Sequence, residues 1–188
     1  MVPLCLITSN AHKLAEARQL LPELEGWSLD LPEIQHAEPR PVIEAKLLAA
    51  LNLGSTHARL LVEDTGLYLD ALQGLPGPLI KWFLGPGKPG LEGLYQLAYR
   101  QGQTSARAIT VVGYLERHPQ GINLRYFEGV TVGQIVAPRG DQGFGWDAIF
   151  CPEGSPYTFA EMEPTEKQRF SMRRKAFERL RACLDSHL

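Results

Sequence analysis

Three short stretches bring together residue types that could do chemistry. Phe144-Gly145-Trp146-Asp147 sets two aromatics and a carboxylate around a single glycine. Aromatic faces stack on planar rings, and a carboxylate accepts hydrogen bonds from ring or backbone N–H groups. That composition suits a nucleobase, although aromatics that lead into the apolar Ala148-Ile149-Phe150 also suit a packed core. Thr8-Ser9-Asn10-Ala11-His12-Lys13 reads as a strand-to-helix junction. Free backbone N–H groups at a helix start bind anions, and the small Ser9 and Asn10 let a phosphate approach. Lys13 adds a point charge; the same residues also describe a plain helix cap. Glu63-Asp64 closes an apolar run and precedes Thr65-Gly66. Side chains alternate along a strand, so one acid can face a ligand while the other faces elsewhere. A carboxylate there suits a hard cation such as Mg²⁺, or a general base for water, or simply a turn cap.

Cations accompany these stretches. Gly77-Pro78-Leu79-Ile80-Lys81-Trp82-Phe83 presents Lys81 from a proline-stiffened turn, with Trp82 and Phe83 suited to a core or a subunit interface. In the segment from Lys167 to Arg174, Ser171 can cap a helix whose first turn holds Met172, Arg173 and Arg174. Arginine makes paired hydrogen bonds to a base edge or to phosphate, or a surface salt bridge. An anion-binding junction, a metal-binding acid, an aromatic slot and basic groups together describe a nucleoside triphosphate site. Neither a P-loop nor a dinucleotide fingerprint is present. No motif suggests a second substrate, so hydrolysis is a simpler reading than transfer.

The elements that must position these residues follow from periodicity. Pro3 to Thr8 reads as a buried strand and is followed by a helix with Leu14, Ala17, Leu21 and Leu24 at helical spacing, capped by Ser9 or Asn10. Ser28 to Leu31 suggests a second strand, Pro32 to Pro41 a loop, and Val42 to Leu53 a helix ending at Gly54. Leu60-Leu61-Val62 is a buried strand, extended again from Gly66 to Leu72. Ile80 to Leu84 and Leu91 to Arg100 read as short helices. Ala106 to Leu115 and Asn123 to Val136 read as long strands joined by a hairpin at His118-Pro119-Gln120-Gly121. The C-terminal segment is an amphipathic helix with Phe177, Leu180 and Leu184 on one face. This order predicts an α/β fold: a mixed, largely antiparallel-extended twisted sheet flanked by helices, with two lobes around a central cleft in a single domain over residues 1–188.

Composition excludes several classes. A net charge of −2 argues against bulk nucleic-acid or membrane binding. Cys5, Cys151 and Cys183 are odd in number and widely spaced, which gives neither a disulfide framework nor a metal motif. The chain does not open on a charged segment with a long apolar core, and no run of about 18 apolar residues occurs. A cytoplasmic enzyme with no nucleic-acid or membrane partner is the expectation.

At the quoted motifs the chain resembles the Ham1-like inosine triphosphate pyrophosphatase family, from Thr8 to about Leu184. Gly74-Leu75-Pro76-Gly77-Pro78 with Lys81-Trp82-Phe83-Leu84, and Thr158-Phe159-Ala160-Glu161-Met162 with Glu166-Lys167, complete the set. The resemblance implies a homodimeric, Mg²⁺-dependent enzyme that cleaves ITP, dITP and XTP to monophosphate and pyrophosphate. It implies that Thr8, Ser9, Asn10 and Lys13 hold the triphosphate, with Lys46 and Lys81 neutralising phosphate charge. Asp64 would bind metal and activate water, with Glu33 or Glu63 as a further metal ligand. Phe144, Gly145, Trp146, Asp147, Lys167, Met172 and Arg173 would form the base pocket. Relatives carry Ser-His-Arg where this chain has Ser171-Met172-Arg173, so one donor to the base edge is missing and weaker base discrimination is expected. Pro41 stands where many relatives have an acid, and Ala148 where many have proline. Two other readings remain: a nucleotide-binding sensor or scaffold without turnover, and a pyrophosphatase for modified pyrimidine triphosphates.

Overall fold

Leu4-Cys5-Leu6-Ile7 has no polar side chain and is buried throughout, as a strand covered on both faces requires. It forms β1 (Leu4–Ile7) and pairs in parallel with β2 (Glu25–Trp27) and β3 (Arg59–Leu69). Parallel neighbours need crossovers, supplied here by α1 (Ala11–Arg18) and α2 (Pro39–Asn52). The structure, a computed structural model, describes residues 3–29, 31–53 and 57–186. β4 (Pro76–Gly77) runs antiparallel to β3. β5 (Ser105–His118) and β6 (Gly121–Ile135) are neighbours joined through Pro119 and Gln120, and β7 (Phe150–Pro152) is antiparallel to β6. The sheet order is β2-β1-β3-β5-β6-β7, with β4 pairing β3 off this path. α3 (Gly90–Arg100), α4 (Pro164–Phe170) and α5 (Met172–Asp185) complete the fold, a mixed α/β arrangement as expected. No helix among the described residues is long and apolar enough to cross a membrane.

The chain divides into two compact units, and the division passes through β3, β5 and β6. The first comprises Met1–Asp64, Thr110–Gly129 and Arg173–Leu188. Its core gathers Leu4, Leu6, Leu61, Val112, Phe177 and Leu180, so α5 docks by the apolar face its periodicity gives it, with Leu184 partly buried beside it. The second comprises Thr65–Ile109 and Val130–Met172. Its core gathers Leu67, Leu94, Ala106, Phe150, Phe159 and Met172 among others.

Some boundaries differ from the sequence reading. The second strand is Glu25–Trp27, not Ser28 to Leu31, of which Asp30 lies outside the described residues. Pairing explains the shift: Cys5, Leu6 and Ile7 oppose Glu25, Gly26 and Trp27. Gly26, a poor strand residue, lets α1 approach closely: a Cβ there would lie 2.4 Å from Leu14 Cδ2, so a larger residue would have to displace that side chain. α2 begins at Pro39 rather than Val42, since a helix's first-turn N–H groups have no intrahelical acceptor and proline is tolerated there. Its expected end at Gly54 lies outside the described residues. Residues Pro78–Phe83 form a 3-10 helix, and Asp70–Leu72 another, where β3 was read as extended to Leu72. Ser171 separates α4 from α5, so the basic C-terminal segment is two helices.

Candidate active site

The junction after β1 is built by Asn10. Its Oδ1 accepts the backbone N–H of His12 at 3.0 Å and of Lys13 at 3.2 Å, and its own N–H donates to Thr8 Oγ1 at 3.1 Å. This closes α1 with an asparagine cap. Ser9 is exposed, and Lys13 points its ammonium toward β3, where Nζ lies 2.6 Å from Glu63 Oε1.

Neighbouring acids on β3 find different partners, as strand alternation demands. The Glu63 side chain is 1% exposed; beyond Lys13, its Oε2 accepts a hydrogen bond from Arg173 Nε at 2.7 Å. Burial pushes the Glu63 pKa up, but Arg173 and Lys13 outweigh it and bring it down to about 2. Glu63 therefore serves two cations with its two oxygens. Arg173 also donates from Nη1 to Glu16 Oε2 at 2.5 Å. Glu16 lies three residues beyond Lys13 on α1, a spacing that sets both on one face and could have flagged it from sequence.

Asp64 turns instead toward Lys46 and Glu33. Lys46 Nζ is 2.6 Å from Glu33 Oε2 and 3.9 Å from Asp64 Oδ1. Asp64 Oδ2 is buried with no hydrogen-bond partner among the described residues. Burial raises the Asp64 pKa against the pull of Lys46 and Lys13. Two carboxylates around one ammonium, with a buried oxygen unmatched, fit a hard divalent cation. Mg²⁺ is commonly held by one or two protein carboxylates, with water and phosphate completing its shell. No group of three or more His, Cys, Asp or Glu side chains at metal spacing occurs among the described residues.

In the second unit, Lys167 on α4 reaches Asp147 Oδ2 at 2.6 Å and lies 5.1 Å from the Phe144 ring centre and 5.5 Å from that of Phe159. Asp147 Oδ2 also accepts the Phe144 backbone N–H at 2.9 Å. Phe144 is half-buried and Gly145 exposed. Trp146 is 7% exposed, its ring edge-on to Phe150 at 5.5 Å and tilted against Phe159 at 6.3 Å, so it belongs to the core cluster. Met172 is buried in the same cluster. Lys81, on the 3-10 turn after β4, is exposed and lies over the Trp82 ring at 5.3 Å. The structure thus assembles Lys13, Glu63 and Arg173; Glu33, Lys46 and Asp64; and Phe144, Asp147 and Lys167 as three groups. Lys167 and Asp147 belong to the second unit, and Arg173 to the ion-pair chain of the first.

In this mixed α/β fold, acids on β3 meet lysines from α1 and α2. The chain belongs to the Ham1 family, whose model matches residues 4–183. It is 40% identical over 183 residues to the inosine triphosphate pyrophosphatase of Schizosaccharomyces pombe, covering 96% of this chain and 94% of that one. It is 42% identical over 177 residues to the protein of the same name from Neurospora crassa, covering 93% and 88%. Among solved structures it is similar to a HAM1 protein from Coxiella burnetii, with a TM-score of 0.79, 26% identity, and coverage of 99% and 100%. It is also similar to a nucleoside-triphosphatase / dITP/XTP pyrophosphatase from Mycobacterium abscessus, with a TM-score of 0.67, 29% identity, and coverage of 95% and 98%.

Proposed function

We propose that this protein hydrolyses the non-standard purine nucleoside triphosphates ITP, dITP and XTP to monophosphate and pyrophosphate, clearing deaminated purines from the cytoplasmic nucleotide pool. The observation that carries the reading is the end-to-end likeness, at about 40% identity, to relatives named inosine triphosphate pyrophosphatase. Its working form is a homodimer, in keeping with the family resemblance.

In the first unit, Lys13 and Lys46 neutralise phosphate oxygens. Asp64 and Glu33 hold Mg²⁺, which when bound offsets the charge of the phosphates. Asp64 Oδ2, buried and with a raised pKa, takes a proton from the attacking water. The water oxygen bonds to the α-phosphorus as the bond to the α,β-bridging oxygen breaks, and pyrophosphate leaves. In the second unit, Phe144 offers a ring face to the purine, and the Lys167 ammonium donates to a 6-oxo group. A 6-amino group would leave such a donor unpaired, at a cost of about 1–3 kcal/mol.

The test is product analysis on a panel of ITP, dITP, XTP, GTP and ATP with Mg²⁺ present. Pyrophosphate and monophosphate from the 6-oxo, deaminated purines ahead of ATP are expected. Release of orthophosphate and diphosphate, or equal turnover of every base, would overturn the reading.

A further inference from the structure

In the second unit, residues 155–162 form a turn that is laced to the segment 139–148 carrying Phe144 and Asp147. Gln142 N–H donates to the Ala160 carbonyl at 3.0 Å, and Ala160 N–H donates to the Asp147 carbonyl at 3.3 Å. Thr158 Oγ1 donates to the Arg139 carbonyl at 2.9 Å. Phe159, set between these anchors, is fully buried. Its ring packs against Trp146 and Phe150, and the Lys167 ammonium lies 5.5 Å from its centre. Lys167 is therefore bounded by the Asp147 carboxylate and the Phe144 ring from one segment, and by the Phe159 ring from the other.

Glu161 holds the second turn. Its Oε2 accepts the Thr158 backbone N–H at 2.8 Å, and Glu161 N–H donates to the Thr158 carbonyl at 3.0 Å. In a capping box a Thr-x-x-Glu stretch turns its hydroxyl back onto the glutamate N–H. Here the Thr158 carbonyl takes that N–H, so the hydroxyl reaches across to Arg139. The same Oε2 lies 3.6 Å from Arg139 Nη2, which donates to the Pro156 carbonyl at 3.1 Å. One carboxylate thus ties the turn to itself and to the neighbouring segment.

We propose that Glu161 is a positioning residue for base selection: it locks the turn 155–162 against the segment 139–148, so that Phe159 and Asp147 hold the Lys167 ammonium at the 6-oxo edge of the purine. A lysine on a four-carbon stem tells a 6-oxo from a 6-amino group only if its ammonium is held in place; a mobile one turns away to water and loses nothing. This rests on Lys167 reading the base, as proposed above.

The test compares the full-length wild type with Glu161→Ala, Glu161→Gln and Thr158→Val by steady-state kinetics with ITP and ATP and by hydrogen exchange across residues 139–148. Alanine removes the acceptor of the Thr158 N–H, whereas glutamine keeps a side-chain oxygen for it. In Glu161→Ala the ITP/ATP ratio of kcat/KM should fall about tenfold, the worth of one polar contact to the base, through a higher KM for ITP. Its kcat should stay within about twofold, because the proposed general base, Asp64, lies in the first unit. Exchange across 139–148 should quicken. Glu161→Gln should keep the ratio within about threefold of wild type, which a need for the charge itself would not allow. Thr158→Val, which cuts the tie to Arg139 without touching Glu161, should lower the ratio about threefold and guards against a folding defect in Glu161→Ala. An ITP/ATP ratio unchanged in both Glu161→Ala and Thr158→Val overturns the proposal, as does a loss of kcat with the ratio kept. A wild type with no preference for ITP over ATP overturns the reading of Lys167, and the exchange comparison then still decides whether Glu161 holds the segment.

Discussion

Lys167 Nζ stands 2.6 Å from Asp147 Oδ2, and that oxygen also accepts the backbone N–H of Phe144 at 2.9 Å. One carboxylate oxygen therefore fixes both the turn that presents Phe144 and the ammonium that lies over its ring. Gly143 makes this possible: its φ is +81°, and a Cβ there would lie 2.3 Å from the same oxygen.

Gly143→Ala should accordingly disturb the turn twice, through a left-handed backbone and through displacement of Asp147. The backbone strain alone costs about 1–3 kcal/mol. Urea melts should show that loss, and KM for ITP should rise. A variant with wild-type stability and KM would show that Asp147 does not hold the turn.

Asp64→Asn should leave the fold intact and lower kcat about 10²–10⁴-fold, the usual worth of a general base. The amide is nearly isosteric, but it is a weak base and a poorer ligand for a hard cation. Circular dichroism and single-turnover assays check both halves. Chelation with EDTA should abolish wild-type turnover and added Mg²⁺ restore it; activity that survives chelation removes Asp64 and Glu33 from a metal role.

Stability should fall in acid through Glu63. Its pKa is lowered on folding from an ordinary 4.5 to about 2. A group depressed in this way contributes its full stability above the unfolded value and loses it as pH drops toward the folded one. Urea midpoints should therefore decline between pH 4.5 and 2. Glu63→Gln should be less stable at pH 7, because Arg173 loses a buried partner, yet should decline less steeply over the acid range. Equal slopes in the two proteins would contradict the assignment.

Met172→His tests position 172. The missing family histidine predicts, from sequence, that restoring it widens the preference for ITP over ATP. Met172 is buried in the second unit's core, so an imidazole there must find a partner or cost about 1–3 kcal/mol. The expected outcome is a lower melting temperature with an unchanged ITP/ATP ratio. A wider ratio at full stability would show that position 172 does face the base.

The elements that carry function were legible because their signals are local. An unbroken apolar run marks β1, an asparagine cap marks α1, and a turn of Pro119 and Gln120 separates β5 from β6. The division of labour between Glu63 and Asp64 was readable as alternation, but not which acid met which lysine. That choice depends on Arg173, which lies 110 residues from Glu63 in sequence. Trp146 illustrates the other limit. Its composition suits a base platform, and only the structure shows that its ring also packs against Phe150 and Phe159 in the core cluster. The β2 boundary falls earlier than the sequence suggests because Gly26 has low strand propensity, and the close approach of Leu14 that favours glycine is a tertiary fact.

The Arg173 pairings span 110 and 157 residues, and Arg173 sits at the start of the last helix. During synthesis, every other member of that ion-pair chain emerges long before its central cation does. A nascent or truncated chain lacking α5 would hold Glu63 with only Lys13 to balance it, and would lack Phe177 and Leu180 from the core beside it. The buried ion-pair chain of the first unit therefore closes only once α5 has been synthesised.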